Sequence, residues 1–413
     1  MSLIVQKFGG TSVGDVERIR NVARRVVETQ RKGHQVAVIV SAMAGETNAL
    51  VALAKEVGGD APDPREYDAL ISIGESKTIA LLAMAIQRLG GKARSFTGAQ
   101  MGMLTDTAHT RARIQSIATE RIRRVLDEGG VAVLAGFQGI DEAGNVTTLG
   151  RGGSDTSAVA VAAALGADVC EIYTDVDGVF TTDPNLVPAA RKLERISFEE
   201  MLEMASLGAK VLQIRSVKFA MHYGIPIHVR SSFHEGEGTW VVREEDVMER
   251  LVVSGVTYNR SETKVRVSGV KDVPGVAAKL FGPLSEAGVV VDMIVQNVSH
   301  DGTTDMTFTV PREDGSRALA ITREIAPQLG SSRVEADPAI AKISIVGLGM
   351  KDHAGVAAKM FAVLAREGIN IQMITTSEIK ISVVIEEKYT ELAVRALHAA
   401  FVEDGAEAPR IEV

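Results

Sequence analysis

Through the first 240 residues or so, short continuous apolar runs alternate with longer segments of mixed polarity. Leu3-Ile4-Val5, Val36–Val40, Val131–Ala135 and Cys170–Thr174 are apolar, β-branched runs of strand length, the pattern of strands buried on both faces. Between them, Asp15–Arg31, Ile79–Arg88, Arg111–Glu128 and Ser157–Leu165 predict helices; the third is rich in arginine on its polar face and the fourth in alanine. Strands alternating with helices predict an α/β layered domain with a largely parallel sheet. Ligands of such sheets sit beyond the carboxyl ends of the strands. The small-residue loops Gly9-Gly10, Ser41–Gly45 and Gly150–Gly153 fall there.

After about residue 250 the pattern changes to an internal repeat. Val270-Lys271-Asp272-Val273-Pro274-Gly275-Val276-Ala277-Ala278-Lys279-Leu280-Phe281 recurs as Met350-Lys351-Asp352-His353-Ala354-Gly355-Val356-Ala357-Ala358-Lys359-Met360-Phe361, an offset of 80 residues. Both copies continue to a glycine (Gly288, Gly368), a short apolar run and Met-Ile (Met293-Ile294, Met373-Ile374). Each reads strand, loop, helix, strand, strand, helix, strand: a small α+β sandwich. Two copies are too few for a solenoid, so a side-by-side pair with ligand or subunit contacts at the shared edges is expected.

Composition removes several classes. The 413 residues suit two or three domains, and no run approaches the roughly 18 consecutive apolar residues of a membrane span. A formal charge of −8 with 4% aromatic residues disfavours nucleic acid as a partner. The start Met-Ser-Leu-Ile-Val lacks a signal-peptide pattern, and the single cysteine, Cys170, reads as buried strand filler in a chain of the reducing cytoplasm. The eight histidines show no metal-ligand spacing, so the only metal expected is magnesium carried by a nucleotide.

Candidate chemistry gathers at the glycine loops. Lys7-Phe8-Gly9-Gly10-Thr11-Ser12 follows the first strand, and its glycines let backbone N–H groups face anionic oxygens while Lys7 supplies a full charge. Thr147-Thr148-Leu149-Gly150-Arg151-Gly152-Gly153-Ser154-Asp155-Thr156 opens a helix, whose N-terminus also favours an anion. Neither loop is a Walker A or Rossmann fingerprint. A third, turn-rich stretch, Tyr173-Thr174-Asp175-Val176-Asp177-Gly178-Val179-Phe180-Thr181-Thr182-Asp183-Pro184, suits a nucleoside, and Lys210 adds a cation.

Lys-Phe-Gly-Gly-Thr-Ser, Gly-Arg-Gly-Gly-Ser-Asp-Thr, the Thr-Asp-Val-Asp-Gly-Val…Thr-Thr-Asp-Pro stretch and the repeat bearing Asp-x-Pro-Gly together resemble the aspartate kinases (aspartokinases), over essentially the whole chain. The resemblance implies a three-layer αβα amino-acid-kinase domain at 1–245, followed by two α+β ferredoxin-like ACT domains at 263–335 and 343–413. ACT units of this family can interleave, which leaves 251–259 free to pair with the last repeat rather than the first. The resemblance implies the monofunctional form, without a homoserine dehydrogenase part.

The reaction implied is transfer of the ATP γ-phosphoryl to the β-carboxylate of L-aspartate, the entry to lysine, threonine and methionine synthesis. A β-carboxylate with a pKa of about 3.9 is ionised at neutral pH, so relief of anion–anion repulsion matters more than a general base. The resemblance assigns catalysis to Lys7, with Asp155 organising cations and magnesium. It places Arg151 on the α-carboxylate, Glu75 on the α-ammonium, and Ser41, Thr47, Gly152, Gly153 and Ser154 around the amino acid. ATP is expected against Lys7, Phe8, Gly9, Gly10, Thr174, Asp175, Phe180, Asp183, Pro184 and Lys210. Two positions depart from the family, which commonly has Tyr at Phe180 and Arg at Asn185; Arg191 is a candidate replacement for the missing guanidinium. The rivals are a kinase for glutamate or acetylglutamate and a catalytically dead sensor. Glu75 with Arg151 fits a free α-amino acid, and the intact set Lys7, Glu75, Arg151 and Asp155 speaks against a sensor.

ACT modules resemble amino-acid sensors, and lysine and threonine are the expected inhibitors. Asp272, Gly275, Val276, Ala277, Asp292 and Gln296 are the effector candidates of the first copy; Asp352, Gly355, Val356, Asn370 and Ile371 are those of the second. The loops differ, Val273-Pro274 against His353-Ala354, so one copy is expected to bind effector while the other mainly builds the interface. A homo-oligomer through the ACT domains is expected, and Met248 is a candidate internal start for a small subunit.

Overall fold

The computed structural model describes residues 1–209, 211–247, 252–298, 302–331 and 333–403, the side chains of Val298 and Asp352 apart. They form two compact units, one of residues 1–180, 192–206 and 211–247, the other of 181–191, 207–209 and the described residues from 252 onward.

The first unit begins with β1 (Leu3–Phe8), α1 (Val16–Arg31), β2 (Gln35–Val40), α2 (Glu46–Gly58), α3 (Pro64–Ile71), α4 (Ile73–Arg88) and β3 (Ala93–Phe96). It continues with β4 (Met103–Thr105), β5 (Ile114–Ile117), α5 (Glu120–Asp127), β6 (Val131–Ala135), β7 (Gln138–Ile140), β8 (Val146–Thr148), α6 (Gly153–Leu165) and β9 (Val169–Thr174). It closes with β10 (Arg195–Ser197), α7 (Phe198–Ser206), α8 (Ile214–Tyr223), β11 (Ile227–Ser231) and β12 (Thr239–Val242).

Strands β11-β9-β1-β2-β6-β3 are neighbours in that order and all parallel, and β12 with β10 adds on antiparallel beyond β11. Phe8 is level with Val40 on one side and Tyr173 on the other, so the loops leaving β1, β2 and β9 start side by side. One face, Phe8, Val36, Val38, Val40 and Val133, is covered by Ile19, Val22 and Val26 of α1 and by Ile79, Leu82 and Ile86 of α4. The other receives α6, in which every residue from Gly153 to Ala162 is buried. Its Gly, Ser and Ala side chains permit that close approach: a Cβ added at Gly136, just past β6, would lie 2.7 Å from Ser154 Oγ and 3.1 Å from Ile39 Cγ2. Helices on both faces of the sheet give the expected three layers.

The structure corrects one element. The predicted helix Arg111–Glu128 is instead β5 followed by the shorter α5. Met103–Thr105 supplies β5 with an antiparallel partner, and long-range pairing overrides the local helical pattern. The helical stretch Pro64–Arg88 is long and apolar enough to cross a membrane by length and composition, yet half of its apolar window is buried inside the protein. It contains the buried Asp68 and Glu75.

The second unit contains β13 (Gly255–Asn259), β14 (Glu262–Lys271), α9 (Val276–Glu286), β15 (Ile294–Val298), β16 (Thr303–Pro311), α10 (Gly315–Ile325) and β17 (Arg333–Asp337). The second repeat follows as β18 (Ile340–Val346), α11 (Val356–Arg366), β19 (Met373–Thr376), β20 (Lys380–Glu386) and α12 (Thr390–His398). The first repeat orders its sheet β15-β16-β14-β17 and the second β19-β20-β18-β13. The place held by β17 in the first sheet is thus taken in the second by β13, which precedes both repeats and pairs antiparallel with β18. Met293, Ile340, Met373 and Val384 form one apolar cluster drawn from both repeats. Lys342 of β18, buried, pairs with Glu262 of β14 at 2.5 Å and with Asp292.

Candidate active site

At the carboxyl ends of β1, β2 and β6, a cavity of about 310 Å³ is lined by Lys7, Gly10, Ser41, Thr47, Glu75 and residues 150–155, with Met43, Asn48 and Phe137. Lys7 Nζ lies 2.6 Å from Asp155 Oδ1, and both side chains are largely buried. Lys7 reaches the cavity because it alternates along β1 with Gln6 and Phe8, which face α1. Phe8 is buried and stacked on Tyr173 at 4.6 Å, so only its backbone is available to a ligand.

Glu75, in the first turn of α4, accepts a 3.0 Å hydrogen bond at Oε1 from Ala42 N, while its buried Oε2 has no protein partner. The close approach depends on Gly74, where an added Cβ would lie 2.6 Å from Ala42 Cβ. Burial raises the Glu75 carboxyl to about pH 7, partly offset by the Ala42 N–H. A carboxylate with one oxygen unsatisfied, in a cavity beside the exposed Arg151, is placed to receive a cationic group.

The 150–153 loop is held from behind by residues the motifs do not announce. Asp68, fully buried on α3, accepts from Thr148 Oγ1 at 2.6 Å, Thr148 N at 3.0 Å and Thr110 N at 2.9 Å, and meets His109 Nδ1 at 2.9 Å. Arg215 donates to the Leu149 carbonyl at 2.7 Å. Among the described residues, Thr110 (φ 67°) and Phe137 (φ 70°) are the non-glycine residues at positive φ. Both press on this loop: Thr110 O lies 2.9 Å from where a Gly150 Cβ would stand, and Phe137 Cδ2 lies 3.0 Å from that of Gly153. Backbone strain of this kind persists where the surroundings over-determine it, often at functional sites. A non-glycine residue at positive φ leaves no mark in a single sequence, although Gly136-Phe137 at the end of β6 sits where ligands of parallel sheets are found.

The expected nucleotide contacts are described unit by unit. Gly9 N donates to Tyr173 O at 3.3 Å, which joins the first glycine loop to the end of β9 and so to Thr174 and Asp175. Phe180 belongs to the first unit, whereas Asp183 and Pro184 lie in the second. There Asp183 accepts from Tyr258 Oη at 3.0 Å, and Arg191 spends its guanidinium on the Val402 carbonyl rather than standing free. Lys210 lies outside the described residues, as does Met248. Of the effector candidates, Asp292 is engaged by Lys342, while Gly355 and Val356 line a cavity of about 260 Å³ within the second unit. Asp272, Gly275, Val276 and Ala277 stand at the turn from β14 into α9, Gln296 on β15, and Asn370 and Ile371 ahead of β19.

A buried lysine–carboxylate pair, a helix N-terminus and two glycine loops over one parallel sheet define a kinase of small carboxylic or amino acids. Residues 2–231 match the amino acid kinase family, and residues 265–324 and 343–401 match the ACT domain. The chain is 60% identical over 402 residues to an aspartate kinase of Stutzerimonas stutzeri, covering 97% of each. Its fold is similar to that of E. coli aspartokinase III in complex with aspartate and ADP (R-state), with a TM-score of 0.82 and 28% identity over 96% of this chain and 99% of that one. The same E. coli enzyme in complex with lysine and aspartate (T-state) matches with a TM-score of 0.76 and 28% identity, over 97% and 99%. The chain belongs to the aspartate kinase family, ATP-dependent phosphotransferases that act on the aspartate side-chain carboxylate.

Proposed function

We propose that the cavity at the ends of β1, β2 and β6 holds L-aspartate, with the Lys7–Asp155 pair at its phosphoryl-transfer end. The observation that carries this is the 2.6 Å approach of Lys7 to Asp155 in the same cavity that Glu75 and Arg151 line. Arg151 takes the α-carboxylate in fork geometry and Glu75 the α-ammonium, with Ser41, Thr47, Gly152, Gly153 and Ser154 completing the pocket. That pairing fixes the β-carboxylate as the free nucleophile. It is already ionised, so Lys7 acts by neutralising charge on the transferring phosphoryl group rather than by moving a proton.

ATP approaches along β9: its contacts are Lys7, the amides of Phe8, Gly9 and Gly10, then Thr174, Asp175, Phe180 and the segment with Asp183 and Pro184. Lys210 joins them on family likeness alone. Asp155, a hard oxygen donor beside Lys7, fits magnesium brought with the nucleotide, which would supply further charge neutralisation at the phosphates. The aspartate and ADP of the E. coli R-state complex support this reading.

The catalytic domain then spans 1–245 apart from 181–191 and 207–209, which belong to the second unit, and the ACT domains span 263–335 and 343–413, the second with Gly255–Asn259 as its edge strand, in a cytoplasmic homo-oligomer joined through the ACT repeats. Lysine, present in the E. coli T-state complex, is the first effector to consider, and threonine the second. Inhibition requires that effector bind an inactive arrangement more tightly than the active one. The test uses the purified full chain with ATP, magnesium and L-aspartate, the acyl phosphate being trapped with hydroxylamine, with and without lysine plus threonine. Aspartate-dependent hydroxamate that falls with effector is expected. Product from glutamate alone would move the substrate assignment, and rates indifferent to both effectors would remove sensing by these amino acids.

A further inference from the structure

The segment Thr181–Arg191 leaves the first unit and returns to it, yet it is built into the second. Its base is a short ladder: Leu193 N donates to Val179 O at 2.8 Å, Phe180 bridges Lys192, and Thr181 N donates to Arg191 O at 2.9 Å. In the first unit Thr239 locks one end, its Oγ1 accepting from Val179 N at 2.9 Å and donating to Leu193 O at 2.6 Å.

In the second unit the other end is gripped at Thr181. Its carbonyl accepts from Val256 N of β13 at 2.7 Å. Its hydroxyl accepts from Arg191 N at 3.0 Å and meets His398 Nε2 at 2.8 Å. His398, the last residue of α12, is fully buried, and its Nδ1 faces Glu403 Oε1 at 2.9 Å. In the tautomer whose Nδ1–H donates to Glu403, Nε2 accepts the Thr181 O–H, and each link from Arg191 through Thr181 and His398 to Glu403 has one donor and one acceptor. Beyond the base, Val187 enters the apolar core of the second repeat and Arg395 donates to the Leu186 carbonyl at 3.2 Å. An apolar side chain would fill the space of His398; the imidazole additionally specifies where the Thr181 backbone sits.

We propose that His398 is a positioning residue for the nucleotide loop: through Thr181 it fixes the base of the segment that carries Asp183. This rests on the proposed role of Phe180 and Asp183 as nucleotide contacts.

The experiment is steady-state kinetics on full-length His398→Ala, Thr181→Val, Thr181→Ser and the double variant His398→Ala/Thr181→Val. His398→Ala and Thr181→Val should each raise KM for ATP about tenfold, the scale of one lost buried hydrogen bond, with KM for aspartate unchanged. Thr181→Ser should behave as native, and the double variant should be no worse than either single one. An unchanged KM for ATP, or equal rises for ATP and aspartate, overturns the proposal; so do multiplicative effects in the double variant. Thr181→Val, which exchanges a hydroxyl for a methyl, keeps the test open should His398→Ala not fold. Phe180→Ala and Asp183→Asn run alongside. Unchanged KM for ATP in that pair removes the nucleotide-loop reading itself, whereas a rise there with none at Thr181 or His398 removes only the positioning role.

Discussion

Lys7 and Asp155 meet at 2.6 Å although 148 positions separate them, one near the end of the central strand, the other in the first turn of a buried helix. The pair is held by the strand and the helix that carry its two members. Its charges are therefore oriented in advance, the condition under which electrostatic stabilisation of a transition state costs least reorganisation.

Replacing the ammonium tests that directly. Lys7→Met should lower kcat by about 10²- to 10³-fold, the usual scale for one preorganised electrostatic group, with KM for aspartate nearly unchanged. Hydroxamate formation under saturating substrates reads it. A loss confined to KM would show that Lys7 binds rather than catalyses.

Glu75 makes the site sensitive to pH. Its folded pKa of about 7 stands above its ordinary value of 4.5, so between those values the folded protein holds a proton the unfolded chain has released. The ligand-free protein accordingly loses stability as pH rises from about 4.5 to 7, by up to about 3 kcal/mol at 1.36 kcal/mol per unit. Glu75→Gln should be more stable than the native chain at pH 8, with the difference vanishing toward pH 4, in denaturant unfolding. The same substitution should raise KM for aspartate and flatten its rise below pH 7, where the native carboxyl becomes neutral.

Arg151→Lys keeps the charge and removes the planar fork. KM for aspartate should rise about 10- to 100-fold, matching a loss of about 1.5–3 kcal/mol for a charge-assisted contact, with KM for ATP within about twofold. Equal changes for both substrates would show that the loop, not the contact, had been disturbed.

Gly152 has φ 72°, and a Cβ there would lie 1.8 Å from Gln213 Cγ. Gly152→Ala should therefore destabilise the protein through both a clash and a left-handed backbone cost of about 1–2 kcal/mol. Adding Gln213→Ala should recover the clash and leave the backbone cost, a non-additivity visible in thermal melts.

Much of the fold was legible because local pattern and tertiary role agree. Leu3-Ile4-Val5 and Val131–Ala135 are apolar because both faces of those strands are covered, and the helix at Ser157–Leu165 needs no apolar stripe because it is buried along its length save at Ala163 and Ala164 near its end. Arg111–Glu128 misled because its first half finds a strand partner in Met103–Thr105, which helical spacing takes no account of. The cavity residues Lys7, Glu75, Arg151 and Asp155 were legible from their motifs. Asp68, Arg215, Thr110 and Phe137 were not, since what they do to the 150–153 loop is a matter of contact at long sequence separation.

By itself the chain's sequence determined the glycine loops, the charged groups within them and the duplicated regulatory unit, because each is written in residues a few positions apart. Only the tertiary structure decided that Gly255–Asn259 completes the sheet of the second repeat, and that Thr181–Arg191 belongs to the unit of the repeats. Strand partnership and loop ownership are settled by which distant surface buries a segment and pairs its backbone. No local pattern records that choice: Val256 and Thr181, joined by a 2.7 Å hydrogen bond, are 75 residues apart.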